Sequence, residues 1–259
     1  MAEIKPIRFA DKGTYLDNPP DEDIPHRARF APFAQSVLAL HPPIGVIESI
    51  QTLTDFLDAM AGIDATYDAD GVLPLADAGD AADEAMRAVA DLQNQLPRLP
   101  RLPLSASPPS GNLILDNLAI GIGLWCMRHQ LAMPSPEPMV NALAMRINAA
   151  TSKQETAATY AMMQGLLRHL KPVLGSDLER SNPERPWRIL HLNFAIAAIR
   201  TADATMIRFA FDSLNAALPD ERAGFYKEAV VLARSPDFPA ETRGLIEQEY
   251  HRAHALPAG

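Results

Sequence analysis

The chain has 259 residues, 47% of them hydrophobic, a net charge of -9 and a single cysteine. This length suffices for one large domain or two small ones with a packed core, and one cysteine excludes an internal disulfide. No run reaches the roughly 18 apolar residues of a membrane span, because the best candidate, residues 113–127, is broken by Asp116 and Asn117.

The opening residues, MAEIKPIRFADKG, lack the continuous apolar stretch of a secretory signal, so a cytoplasmic location is expected. Charge is unevenly spread: residues 1–110 hold 17 acids and 8 bases, whereas the other 149 residues hold 15 of each. Between Glu48 and Asp91 stand eleven acids and one base, Arg87, which argues against a phosphate-binding face and a nucleic-acid partner. From Arg168 to Arg208 the balance reverses, seven bases to four acids. Such runs read as solvated faces or as a match between the two segments.

Residues 1–32 carry Pro6, Pro19, Pro20, Pro25 and Pro32 without sustained periodicity, which predicts an extended arm. Residues 33–96 read as an acidic helical hairpin. Its first helix spans 45–61, where Val46, Ile47, Ile50, Leu53, Phe56, Leu57 and Met60 form one apolar stripe; its second runs from about Asp80 to Leu96 around Met86, Val89 and Leu92. Between them, Thr66 to Asp77 aligns in part with an EF-hand calcium loop, placing Asp68, Asp70, Gly71 and Asp77 at positions 3, 5, 6 and 12. Thr66 stands at position 1 and Pro74 at position 9, so a plain polar turn is the competing reading.

A Pro-rich linker follows over 97–110, with Pro97, Pro100 and Pro103 at the three-residue interval of polyproline II. It reads as a semi-rigid spacer, a strip packed on the protein's own surface, or a partner-binding strip. Residues 111–259 form an all-α domain, with helices predicted over 112–132, 136–149, 152–174, 182–201, 203–217, 220–234 and 239–255. Thr151 with Gln154 and Ser181 with Glu184 fit the capping box. Short connections imply antiparallel hairpins stacked as a bundle or a short irregular α/α superhelix.

Chemistry-bearing residues concentrate in SNPERPWRILHLNF, residues 181–194. Trp187 and His191 lie one helical turn apart with Arg188 beside them, and Arg185 precedes. Arg168 and His169 on the preceding helix complete a possible cationic, aromatic-lined pocket for a carboxylate or phosphate. Burial as satisfied core polar groups is the competing reading. Cys126, flanked by Trp125 and Met127, reads as an inert core thiol. Gly121 and Gly123 read as sites of close helix packing, and His251 and His254, with Glu247 and Glu249, as a solvated helix end.

The expected function is therefore a non-catalytic protein-interaction module: an adaptor, scaffold, chaperone or assembly subunit, without a cofactor, that binds another protein or a second copy. The alternative is an enzyme or small-anion binder built around Trp187, Arg188 and His191. Calcium response through Asp68, Asp70 and Asp77 is a third reading.

Overall fold

Apolar stripes at helical spacing fold as helices throughout the computed structural model, which describes residues 26–70, 78–99, 110–176, 180–234 and 238–255. They are α1 (His26–Leu38), α2 (Ile44–Asp70), α3 (Ala78–Gln95), a 3₁₀ turn (Leu96–Arg98), α4 (Ser110–His129), α5 (Glu137–Ala149), α6 (Lys153–Leu174), α7 (Pro186–Thr201), α8 (Ala204–Ala217), α9 (Arg222–Ala233) and α10 (Ala240–Ala255). The fold is all-α, with no strand among the described residues. No described helix is long and apolar enough to cross a membrane. Contacts divide the chain into two units, Met1–Ala142 and Leu143–Gly259, and the division falls inside α5.

In the first unit, residues 26–32 depart from the expected extended arm, because α1 begins at His26 and carries Pro32 within it. A proline inside a helix costs about 3 kcal/mol. Against this, Phe30, Phe33, Ala34 and Val37 recur at i, i+3, i+4 and i+7 and are all buried. Burying each phenylalanine contributes about 1.5–3 kcal/mol, so the stripe outweighs the lost hydrogen bond. The rest of the expected arm, residues 1–25, lies outside the described residues. Arg27 Nε donates to Asp58 Oδ1 at 2.8 Å and pins α1 to α2, while Phe56 of α2 meets Trp125 of α4 edge-on at 5.5 Å.

On α3, Ala82, Ala85, Met86, Val89 and Leu92 form the buried face. Burial of Leu96 draws the following residues into a 3₁₀ turn, so Pro97 stands in that turn and not in polyproline II. Leu99 itself is extended, with φ -77° and ψ 131°; Pro100 and Pro103 lie outside the described residues. Segment 97–110 connects two helices that pack on each other within this unit, where Gln93 Nε2 donates to Asp116 Oδ1 at 2.8 Å. Close packing explains both α4 glycines: a Cβ on Gly121 would stand 2.5 Å from His26 Nε2, and one on Gly123 would collide with Met139.

Burial against α4, helped by the charge of Arg29, pushes the His26 imidazolium pKa below its ordinary 6.5. The folded state thus prefers the neutral ring. Above pH 6.5 neither state binds the proton; below it the unfolded chain takes up a proton that the folded chain resists, so stability falls as pH drops from 6.5 toward the folded pKa. His26→Gln removes this component, as denaturant titrations at pH 7.5 and pH 5 would show by a smaller acid-induced loss than in the wild type.

In the second unit, the capping box before α6 sits one residue beyond its predicted register. Ser152 Oγ accepts from Glu155 N at 3.1 Å, and Glu155 Oε2 accepts from Ser152 N at 3.1 Å and from Thr151 N at 2.9 Å. These donors hold the Glu155 carboxyl below the usual carboxylate range. Thr151 thus assists the cap instead of forming it. Arg200 of α7 donates to the carbonyls of Ile147 and, at 2.8 Å, Ala150, satisfying backbone acceptors at the C-terminal end of α5.

Helix α7 buries Leu190, Phe194, Ala195, Ala197, Ala198 and Ile199, residues that leave it scarcely any polar face. It runs antiparallel to α8: His191 faces Ser213 and Phe194 faces Phe209. Phe194 stacks on Tyr160 of α6 at 4.6 Å and meets Phe209 edge-on at 6.2 Å. Phe194→Ala is expected to cost about 3–5 kcal/mol, read as a lower urea midpoint for the Leu143–Gly259 unit.

Candidate functional site

The segment before α7 folds on itself. Instead of a Ser181–Glu184 capping box, Asn182 Oδ1 accepts from Glu184 N at 2.9 Å, and α7 starts at Pro186 with Arg185 at the N-cap. Asparagine makes this local turn readily, and proline fits the first helical position because its missing N–H would have no intrahelical partner. The buried Arg185 side chain closes the turn by donating Nη1 to the carbonyls of Arg180 and Asn182, at 3.1 and 3.0 Å.

One turn along, Arg188 donates Nε to Glu221 Oε1 at 2.7 Å and Nη2 to Glu221 Oε2 at 3.1 Å, with Nη1 on the Pro183 carbonyl at 3.1 Å. Arg185 Nη2 stands 3.9 Å from the same Glu221 Oε1. Glu221 is the N-cap residue of α9, and its side chain makes no cap hydrogen bond there. The guanidinium fork foreseen for a ligand carboxylate is thus satisfied by a carboxylate of the chain itself.

Trp187 and His191 do meet, edge-on with centroids 4.4 Å apart, and both are buried. His191 Nδ1 lies 3.5 Å from Ser213 Oγ. Trp187 Nε1 is buried with no hydrogen-bond partner among the described residues. Arg168 is exposed on α6 and His169 half-buried. Arg168 is near enough to the Tyr160 phenol to offset part of the rise that burial imposes on it.

α2 continues through Asp70, so Thr66 to Asp70 has helical backbone where an EF-hand would begin its loop, and Asp77 lies outside the described residues. No group of three or more His, Cys, Asp and Glu is gathered as metal ligands would be among the described residues. Cys126 is buried on α4, and desolvation pushes its thiol up to about 12, leaving essentially no thiolate at neutral pH. His251 and His254 are exposed on α10, flanking Tyr250 at ring distances of 5.5 and 4.2 Å.

A site the sequence did not reveal lies among α8, α9 and α10. There a cavity of about 460 Å³ is lined by Asn215, Arg222, Tyr226, Glu249, Arg252, Ala253 and Ala255. Tyr226 hydroxyl donates to Asn215 Oδ1 at 3.0 Å, Asn215 Nδ2 donates to Glu249 Oε2 at 3.1 Å, and Arg252 Nη1 donates to Glu249 Oε1 at 2.6 Å. Burial pushes the Tyr226 phenol well up, and Glu249 and Asp212 add to the shift, so it stays protonated as a donor. The only hints in the sequence were pairs at helical spacing, Arg222 with Tyr226 and Glu249 with Arg252, and these occur on any helix surface.

Compared with family models, curated proteins and solved structures, the chain matches none.

Replacing Glu221 by Gln removes the carboxylate that lies against the buried Arg185 and takes two hydrogen bonds from the half-buried Arg188. Since hydrogen bonds to charged groups contribute about 1.5–3 kcal/mol, Glu221→Gln should lower stability by about that much. A double-mutant cycle with Arg188→Gln, followed by urea unfolding, should recover most of it as coupling energy.

Proposed function

We propose that the chain is a non-catalytic protein-interaction module, a helical adaptor or assembly subunit that binds another protein or a second copy of itself. One observation carries this reading, the corner joining α1 to α2. Leu38, Pro43, Ile44 and Ile47 are exposed there, Ile44 at 68%. Ile44 and Ile47 are one turn apart and share a side of α2. Between the helices, His41 takes a φ of 52°, with His41 N donating to the Leu38 carbonyl at 3.0 Å and Leu40 N to the Val37 carbonyl at 3.1 Å.

A left-handed residue with a side chain costs about 1–2 kcal/mol. An apolar corner held at that cost and left open to solvent supports a contact surface better than a packing defect. The inward use of Arg185 and Arg188, both turned to Glu221, and the un-ionised Cys126 thiol are consistent with a role that relies on shape instead of bond-making.

The test is affinity capture from the native cell, combined with light scattering of the purified chain, for wild type and Ile44→Glu. A stoichiometric partner or a defined oligomer is expected, lost in the variant while circular dichroism is unchanged. A monomer that recovers nothing, or a complex indifferent to Ile44→Glu, would overturn the reading.

A further inference from the structure

The cavity among α8, α9 and α10 has an electrostatic character set by what its neighbours are doing. Arg222 is the first residue of α9, where unsatisfied backbone N–H groups already make the helix end positive. A cation there is opposed by the helix itself. The adjacent acid, Glu221, would relieve it but is drawn away by Arg188 at 2.7 Å and Arg185 at 3.9 Å. Half-buried Arg222 makes no ion pair or side-chain hydrogen bond among the described residues.

Across the cavity, Arg252 commits Nη1 to Glu249 and keeps its other N–H donors. Glu249 accepts from both Asn215 and Arg252, and Tyr226 hydroxyl is committed to Asn215, so the polar floor is fixed by its own bonds. The lining therefore carries two guanidinium groups against one carboxylate, with the alanines at 253 and 255 as apolar wall. A volume of about 460 Å³ suits a metabolite-sized molecule.

From this geometry we propose that the cavity binds a small organic monoanion through its carboxylate, held by Arg222 and Arg252, with its hydrocarbon part against Ala253 and Ala255. Planar guanidinium groups match a carboxylate in shape, and one negative charge balances the lining. A phosphate dianion would exceed that balance and meet Glu249 with greater repulsion. The site is independent of the α1–α2 corner, so either proposal can fail alone.

The test is calorimetric titration of the full chain at low ionic strength, where partly exposed charges are least screened, with butyrate and benzoate as probes. Benzamide serves as the uncharged counterpart of benzoate and inorganic phosphate as the competing anion. Saturable 1:1 binding of a carboxylate is expected, absent for benzamide. It should be weakened about tenfold or more, a loss of about 1.4 kcal/mol, by Arg222→Gln and by Arg252→Gln, and left unchanged by Arg98→Gln in the other unit. No saturable heat with any carboxylate, equal binding of benzamide, preference for phosphate, or binding indifferent to Arg222→Gln in a variant with wild-type circular dichroism would each overturn the proposal.

Discussion

The second unit depends on the burial of one helix with almost no polar face. α7 carries Leu190, Phe194, Ala195, Ala197, Ala198 and Ile199 inside, so it cannot lie at a surface and must be enclosed. The alanines keep its flanks narrow, which lets α6 and α8 approach, while Phe194 fills the remaining space against Tyr160 and Phe209. Once α7 is fixed, its two ends have definite work. Arg200 near its last turn reaches the open carbonyls of Ile147 and Ala150. Arg185 and Arg188 at its first turn reach Glu221 at the start of α9.

That last contact organises charge well beyond the pair. By holding Glu221, α7 removes the acid that would have neutralised the start of α9, and the positive character passes to Arg222 and the cavity beside it. Arg188 keeps its charge firmly, since the Glu221 hydrogen bonds raise its pKa further. The ion network at the start of α7 thus sets the charge of a candidate binding site that its own carboxylate does not line.

The helices were legible because their cause is local. Apolar periodicity places eight of them to within a few residues, and α2 runs nine residues past its predicted end, over 62–70, beyond the stripe that finishes at Met60. α1 was hidden because proline is a strong local signal, whereas the buried face of Phe30, Phe33 and Val37 becomes decisive only when a neighbouring helix covers it. The cap before α6 lies one residue on because Thr151-Gln154 and Ser152-Glu155 are both chemically competent; the ionised carboxylate of Glu155, equal in length to the Gln154 amide but purely an acceptor, takes both backbone N–H groups and favours the second. Site chemistry was less legible for the opposite reason. Residues 181–194 are dense in charged and aromatic side chains, but Glu221, the partner of Arg188, stands 33 residues away from it, and nothing in local spacing links the two.

The buried thiol on α4 has a consequence for how the molecule's opening can be followed. Cys126 is the sole cysteine in the sequence, it is 1% exposed, and its high pKa suppresses the reactive thiolate. A thiol reagent therefore gains access chiefly when the surrounding helices part, and the labelling rate becomes a clock for that opening. Since the residue belongs to the Met1–Ala142 unit, the clock runs on that unit's excursions. Set beside tryptophan emission from Trp187 in the other unit, with Trp125 replaced, it gives two separate readouts of cooperativity in one chain.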